Sequence, residues 1–190
     1  VPTEPLARLW HGAHLLCNAA EARMPSPHRN GPAAPTTMRP VRPVIVHIEV
    51  PQPPEEVYDV LDVLAAHEEF TDHMLRQWHY SGPARGVGAA ARVTAVVAGR
   101  SESIDIEVVA AQRPLGITER NTGAGGRRVA TGTYLLNEIP GGGTRIFFTY
   151  SWQTAPLSER LTAPLVRWLL RRANQKALRR LAGLLDNSTQ

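Results

Sequence analysis

The sequence predicts an α+β fold in which a curved antiparallel sheet is closed by one long C-terminal helix. Three observations carry this. Residues 43–153 break into short alternating segments punctuated by Gly and Pro. Residues 157–185 hold the longest helical pattern in the chain. The order is one strand, two short helices, about six strands and the long helix. Such segregation of strands from helices suits an antiparallel sheet and not a parallel nucleotide-binding one.

The 190 residues allow one domain of about 100–150 residues plus extensions. A hydrophobic content of 43% is enough for a core. Cys17 is the sole cysteine, which excludes a disulfide framework and a cysteine-based metal cluster. This usage fits a reducing, cytoplasmic setting. No apolar run reaches the roughly 20 residues of a membrane span, so no stable membrane insertion is expected. The net charge is +4 and almost wholly arginine-borne, Lys176 being the only lysine. Arg-, Ala- and Pro-rich usage matches a GC-rich bacterial genome. That bias weakens a nucleic-acid reading of the charge.

The chain divides into a leader at 1–42, a domain at 43–186 and a tail at 187–190. The leader reads as disordered or weakly helical. Residues 25–43 are too Pro-rich for regular structure, while 4–23 place Leu6, Leu9, Trp10, Ala13 and Leu16 at helical spacing. Glu4, Arg8, His11 and His14 interrupt any secretory signal core. Val1 is an unusual first residue and Met38 stands just before the first strand. Met38 is thus read as an alternative start, and removal of the leader is expected to leave folding intact.

Within the domain, Val44, Val46, Ile48 and Val50 alternate with Ile45, His47 and Glu49, a half-buried strand. Pro53 and Pro54 open a helix with Glu55 and Glu56 in its first turn and Val57, Val60, Leu61 and Leu64 as its buried stripe. The segment AAHEEFTDHML holds a second short helix. WHYSGPARGVGA contains a turn, and ARVTAVVAG, SESIDIEVVA and GITERNTG are strands. Gly141, Gly142 and Gly143 join the last two strands as a hairpin.

The closing helix starts after Pro156, with Ser158 able to cap it and Glu159 at the positive end of its dipole. Pro164 means that it begins near Thr162 or bends there. Leu161, Leu165, Trp168 and Leu169 share one face, and Ala173, Ala177, Leu181 and Leu184 share another. Two readings fit the rotation: a kinked core helix, or a helix whose first half walls a pocket and whose second half is gripped by the sheet. Trp168 is expected to be buried, and its removal to cost about 3–5 kcal/mol, towards the low end if it lines a cavity.

Several chemistries lack their motif. RGVGAAAR has neither the lysine nor the spacing of a phosphate loop, and there is no HExxH, paired cysteine or GxSxG. His67, His73 and His79 are expected on the surface or at caps, not as metal ligands. No cofactor is implied. What remains is a set of side chains that strand parity could aim inward. Trp78 and Tyr80 share a face, as do Tyr134 and Leu136, and Ile146, Phe148, Tyr150 and Trp152. Such rings suit a pocket that grips an apolar body and orients one polar end. The candidate ligand-binding set is Trp78, Tyr80, Tyr134, Phe148, Tyr150, Trp152, Leu161, Leu165 and Trp168. Asp105, Glu119 and Arg120 could serve as acid or base or as surface ion pairs. The arginines of the long helix form a broken stripe, read as a solvated face with anionic lipid headgroups as a minor option.

Four stretches in order, PPEEVYDVLDVLAAHEEFTDHML, SGPARGVGAAARV, GGGTRIFFTYSW and the long helix, resemble the START-like, SRPBCC superfamily, especially its polyketide cyclase/dehydrase-like branch. The resemblance covers roughly residues 43–186 and implies a helix-grip fold of about seven strands around the last helix, with an apolar cavity between. Pro164 departs from that pattern. Members bind lipids, sterols or polyketides, and some catalyse cyclisation or dehydration. The resemblance carries no catalytic residue to this chain. The leading expectation is a carrier or sensor of a small apolar molecule. The alternatives are a cyclase or dehydratase, and a protein-interaction module of the Hsp90-activator kind. Neither ligand nor oligomeric state can be read from the sequence.

Overall fold

Alternation at the start of the domain forms strand β1 (Val44–Val50), with Val44, Val46 and Val50 buried and Ile45, His47 and Glu49 exposed. This structure, a computed structural model, describes residues 41–97 and 99–188. The expected leader lies outside the described residues except for its last two positions, and so does the tail's end. Pro54 opens helix α1 (Pro54–Leu61), where its missing N–H costs nothing, and Glu55 and Glu56 face the positive end. Val57, Tyr58 and Leu61 are its buried stripe. A 3₁₀ turn at Leu64–Ala66 leads into the short α2 (His67–Thr71).

Six strands follow: β2 (Leu75–Ser81), β3 (Ala90–Val97), β4 (Arg100–Gln112), β5 (Gly116–Gly123), β6 (Arg128–Glu138) and β7 (Thr144–Thr154). With β1 they make one seven-stranded antiparallel sheet in the order β1-β7-β6-β5-β4-β3-β2. Each of β2 to β7 pairs with its sequence neighbour, and β1 joins the far edge beside β7, Val46 opposite Phe148. A bulge at Gln77, whose φ is +54°, shifts the register of β2 between Arg76 and His79.

The C-terminal segment is two helices. α3 (Leu157–Leu161) follows Pro156 and ends at Thr162, whose φ/ψ of −102°/17° is not helical. α4 (Ala163–Ser188) then runs 26 residues, roughly 39 Å at about 1.5 Å per residue. Pro164 therefore sits in a first turn, where no backbone bond is lost. Of the two sequence expectations for this region, a long helix that begins near Thr162 is the one observed, preceded by the separate short α3. Ser158 does not cap: no side-chain cap bond forms, and its carbonyl accepts from Thr162 Oγ1 at 2.7 Å.

α4 packs across β1 and α2. Its buried line is Asn174, Ala177, Leu178, Leu181 and Leu185, a 3.6-residue period. Gln52 Nε2 donates to Asp186 Oδ1 at 3.2 Å, and Gln175 Nε2 donates to the His47 carbonyl at 3.3 Å, fixing the helix along β1. Arg180 pairs with Asp72 just beyond α2. The core centres on Val57, Leu61, Phe70, Ile117, Ile146, Leu178 and Leu181. Among the described residues, no helix is long and apolar enough to cross a membrane.

Candidate functional site

Period-two alternation aims every second side chain of the sheet at α4. Ile104 and Ile106 on β4, Glu119 and Asn121 on β5, Tyr134 on β6 and Phe148, Tyr150 and Trp152 on β7 line one wall of a cavity of about 650 Å³. The facing wall is His67 and Thr71 of α2 with Thr162, Leu165, Leu169 and Asn174 of the C-terminal segment. Room is left partly because β6 turns small residues inward. Gly132 is buried, and a Cβ there would stand 3.1 Å from Phe148 Cε2.

The polar centre of the cavity is a buried pair. His67 is 3% exposed and Glu119 6%. His67 Nδ1 lies 3.0 Å from Glu119 Oε1, and His67 Nε2 lies 2.8 Å from the Leu61 carbonyl. A carbonyl only accepts, so Nε2 carries a hydrogen, and Nδ1 is the ring nitrogen that faces Oε1. Burial works to lower the His67 pKa, but the charge and hydrogen bonding of Glu119, with the Leu61 carbonyl, outweigh it and hold the pKa above 6.5. The Tyr134 ring meets His67 edge-on at 5.7 Å. Burial, then the Glu119 charge, raise the Tyr134 hydroxyl well above its ordinary value, so it stays an O–H.

Two donors in this wall lack partners. Trp78 Nε1 and Asn174 Nδ2 are buried and have no hydrogen-bond partner among the described residues. Asn174 is 5% exposed. Buried polar groups are normally satisfied, which makes these two candidates to bond a molecule inside the cavity.

A second node stands where α3 meets the sheet. Arg128 Nη1 donates to Glu159 Oε1 at 2.8 Å, and its Nη2 pairs with Glu102. Glu159 Oε2 accepts from Trp152 Nε1 at 3.3 Å. The node ties α3 to β4, β6 and β7. Burial pushes the Tyr150 hydroxyl up to about 12 even though the Arg128 charge opposes it, so Tyr150 is also an O–H donor at neutral pH.

Of the sequence-derived candidates, Trp78, Tyr134, Phe148, Tyr150, Trp152 and Leu165 line the cavity. Tyr80, Leu161 and Trp168 are placed elsewhere. Tyr80 shares the face of Trp78 and stacks on it at 5.7 Å, but it is 46% exposed and its hydroxyl donates to Glu68 at 2.8 Å. Leu161 is 76% exposed because the break at Thr162 ends the helical phase that would have turned it inward. Trp168 is 57% exposed and lines an outer groove instead.

Sequence reasoning missed His67, Asn174 and Arg128 as site residues and left Glu119 level with the surface charges. The expectation of a surface or capping His67 is overturned by its burial, whereas His79 is exposed. Strand parity held the signal for Glu119, which shares the inward face of Ile117, while Arg120 pairs with Glu107 outside. Asn174 falls one turn before Ala177 and Leu178 on the buried line. Among the described residues, no group of three or more His, Cys, Asp or Glu is placed to hold a metal ion.

No protein-family model matches the chain, and no curated protein sequence does. Solved structures do. The Zhui aromatase/cyclase of Streptomyces sp. R1128 superposes with a TM-score of 0.63 at 17% identity, over 78% of this chain and 96% of its own. A protein of Thermus thermophilus gives 0.62 at 19% identity, over 78% and 100%. Ara h 8.0201, which is Bet v1-like, gives 0.56 at 16% identity, over 77% and 98%. At these identities the likeness is one of fold: the chain has the helix-grip architecture of the SRPBCC, polyketide cyclase-like proteins.

Proposed function

We propose that this protein binds a small hydrophobic molecule, lipid-like or polyketide-like, inside the domain, as a carrier or sensor. The observation that carries the reading is the cavity of about 650 Å³, walled by Ile104, Tyr134, Phe148, Tyr150, Leu165 and Leu169 and holding two unpartnered donors, Trp78 Nε1 and Asn174 Nδ2. The volume lies within the range of small-molecule sites, and the lining is of their usual kind: apolar walls with few polar points. The rings grip an apolar body. The two donors and the tyrosine hydroxyls offer hydrogen bonds to oxygen acceptors on it.

Burying about 300 Å² of ligand gives a gross gain near 7 kcal/mol at roughly 25 cal/mol per Å², before the costs of association. An unselected apolar probe should therefore bind one to one with micromolar to millimolar affinity. Because apolar burial drives it, affinity should be insensitive to salt. Titration with a fluorescent fatty-acid analogue at low and high ionic strength tests this. An absence of saturable binding for every apolar ligand tried would remove the reading. Native mass spectrometry of protein purified from its own host would supply the ligand's mass.

A second reading, catalysis of cyclisation or dehydration, is favoured by the His67–Glu119 pair facing the same space. A buried histidine beside a carboxyl group, facing a bound carbonyl compound, is equipment for general acid–base catalysis. Conversion of a supplied polycarbonyl substrate by the protein, lost in Glu119→Gln with ligand affinity retained, separates enzyme from carrier.

A further inference from the structure

Helix α3 and the first half of α4 carry an apolar stripe that the fold leaves in solvent. Leu157, Leu161, Leu165 and Trp168 are 59%, 76%, 57% and 57% exposed. A globular surface scatters such residues singly, so four on one short stretch mark a contact. The stripe is also flanked by charge of one sign. Arg171, Arg172, Lys176 and Arg179 are exposed or half-buried and line one groove together with Trp168. None of the four has an ion-pair partner among the described residues. Over residues 157–185 the sole carboxylate is Glu159, which Arg128 holds inward. The arrangement is the reverse of a solvated helix: leucines and an indole outside, cations beside them and no counter-charge.

Charge complementarity names the occupant. A nucleic acid would pair with the cations but not with three exposed leucines. An anionic phospholipid bilayer meets both, headgroups taking the arginines while leucines and an indole enter the boundary below. We infer that the α3–α4 face docks on an anionic phospholipid bilayer surface. The site is coupled to the cavity by position. Leu165 belongs to the exposed stripe and lines the cavity, and Met74 and Leu169 line both the cavity and the basic groove. Docking brings this wall of the cavity to the lipid.

Sedimentation of the full chain with vesicles tests the inference. Phosphatidylcholine vesicles containing phosphatidylglycerol should pellet the protein at least about tenfold better than phosphatidylcholine alone, and high salt should reverse this. Leu161→Asp and Trp168→Ala, and separately Arg171→Glu with Arg172→Glu, should abolish pelleting. Their melting midpoints should stay at wild type, because all four residues are exposed. Binding to a fluorescent apolar probe should survive in the arginine variant, which keeps lipid docking distinct from occupancy of the cavity. Equal pelleting with both vesicle types overturns the inference, and so does pelleting that the variants leave unchanged. Concentration-dependent dimers broken by Leu161→Asp would assign the face to a second copy instead. Salt-sensitive duplex DNA binding lost in the arginine variant, without vesicle binding, would assign it to nucleic acid.

Discussion

His67 Nδ1 and Glu119 Oε1 face one another at 3.0 Å, in a space where the other ring nitrogen is already committed to the Leu61 carbonyl. The contact makes the charge of His67 matter to the fold. Because the folded pKa of His67 is raised above 6.5, its protonation stabilises the fold. That contribution is complete below about pH 6.5, the ordinary histidine value, and is lost as pH rises through the native pKa. In Glu119→Gln the raising charge is gone and burial prevails, so the pKa should fall below 6.5. The histidine contribution then reverses in sign: it is present above about 6.5 and lost as pH falls. Urea unfolding of both proteins across neutral pH should show opposite slopes. A wild-type His67 resonance that titrates below 6.5 would defeat the prediction.

Asn174 offers a trade between stability and binding. Its buried amide nitrogen has no partner, and its neighbours on the helix are Ala177 and Leu178. Removing an unsatisfied buried group in favour of an apolar one of similar size should be neutral or stabilising by about 1 kcal/mol. Asn174→Leu should therefore melt no lower than wild type. If the amide holds a ligand oxygen, a ligand with a carbonyl end should bind about tenfold more weakly, the usual worth of one hydrogen bond. A purely hydrocarbon-like probe should bind as well or better. Equal loss for both probes would mean that the substitution simply fills space.

The fold was legible where local and global preferences agree. The alternation of β1, the proline start of α1 and the triple glycine of the β6–β7 hairpin each state their structure in a few residues, and β5 runs over the segment GITERNTG that the sequence marks out. The site was half legible for the same reason: parity correctly aims Tyr134, Phe148, Tyr150 and Trp152 inward. What failed depends on irregularity. A stripe counted at 100° per residue assumes one helix, and Thr162 breaks the count at Leu161, while Trp168, inside α4, stands on the side of that helix away from Ala177 and Leu181. With that exposure, Trp168→Ala should cost under about 1 kcal/mol, not the loss expected of a buried tryptophan. His67 and Glu119 are 52 positions apart in number and on different elements, and no spacing announces such a meeting.

Gly132 should control the volume of the cavity. It sits on the inward face of β6 between Ala130 and Tyr134, opposite Tyr150 on β7. A Cβ at this position meets Phe148 Cε2 at 3.1 Å and Phe148 Cζ at 3.2 Å, so the ring must yield, and the open space beside it is the cavity. Gly132→Val should push Phe148 into that space at a cost of about 1–3 kcal/mol. Affinity for the largest ligands should fall most, while small probes keep theirs. A melting curve and a size series of probes measure the two effects. Uniform loss across the series would indicate general unfolding of β6 instead.

Arg128 should act as the latch of α3. Its side chain is 14% exposed and spans Glu102 on β4 and Glu159 on α3, with Trp152 Nε1 completing the node through Glu159. Removing one partner of such a pair leaves the others uncompensated, which for a buried network costs about 3–5 kcal/mol. The partial exposure of both glutamates puts Arg128→Ala at the lower end, near 3 kcal/mol. The loss should be local before it is global. α3 has no buried residue of its own, so its hold on the sheet rests on polar contacts such as the Arg128–Glu159 pair. Amide hydrogen exchange should quicken across Leu157–Leu161 while β5 and the second half of α4 keep their protection. Since Glu159, Trp152 and Thr162 line the cavity, the dissociation rate of a bound probe should rise more than the association rate falls. Arg128→Lys restores charge but not the two-pronged geometry, and should recover only part of the protection. Unchanged exchange at α3 in Arg128→Ala would show that the node is not what keeps this helix in place.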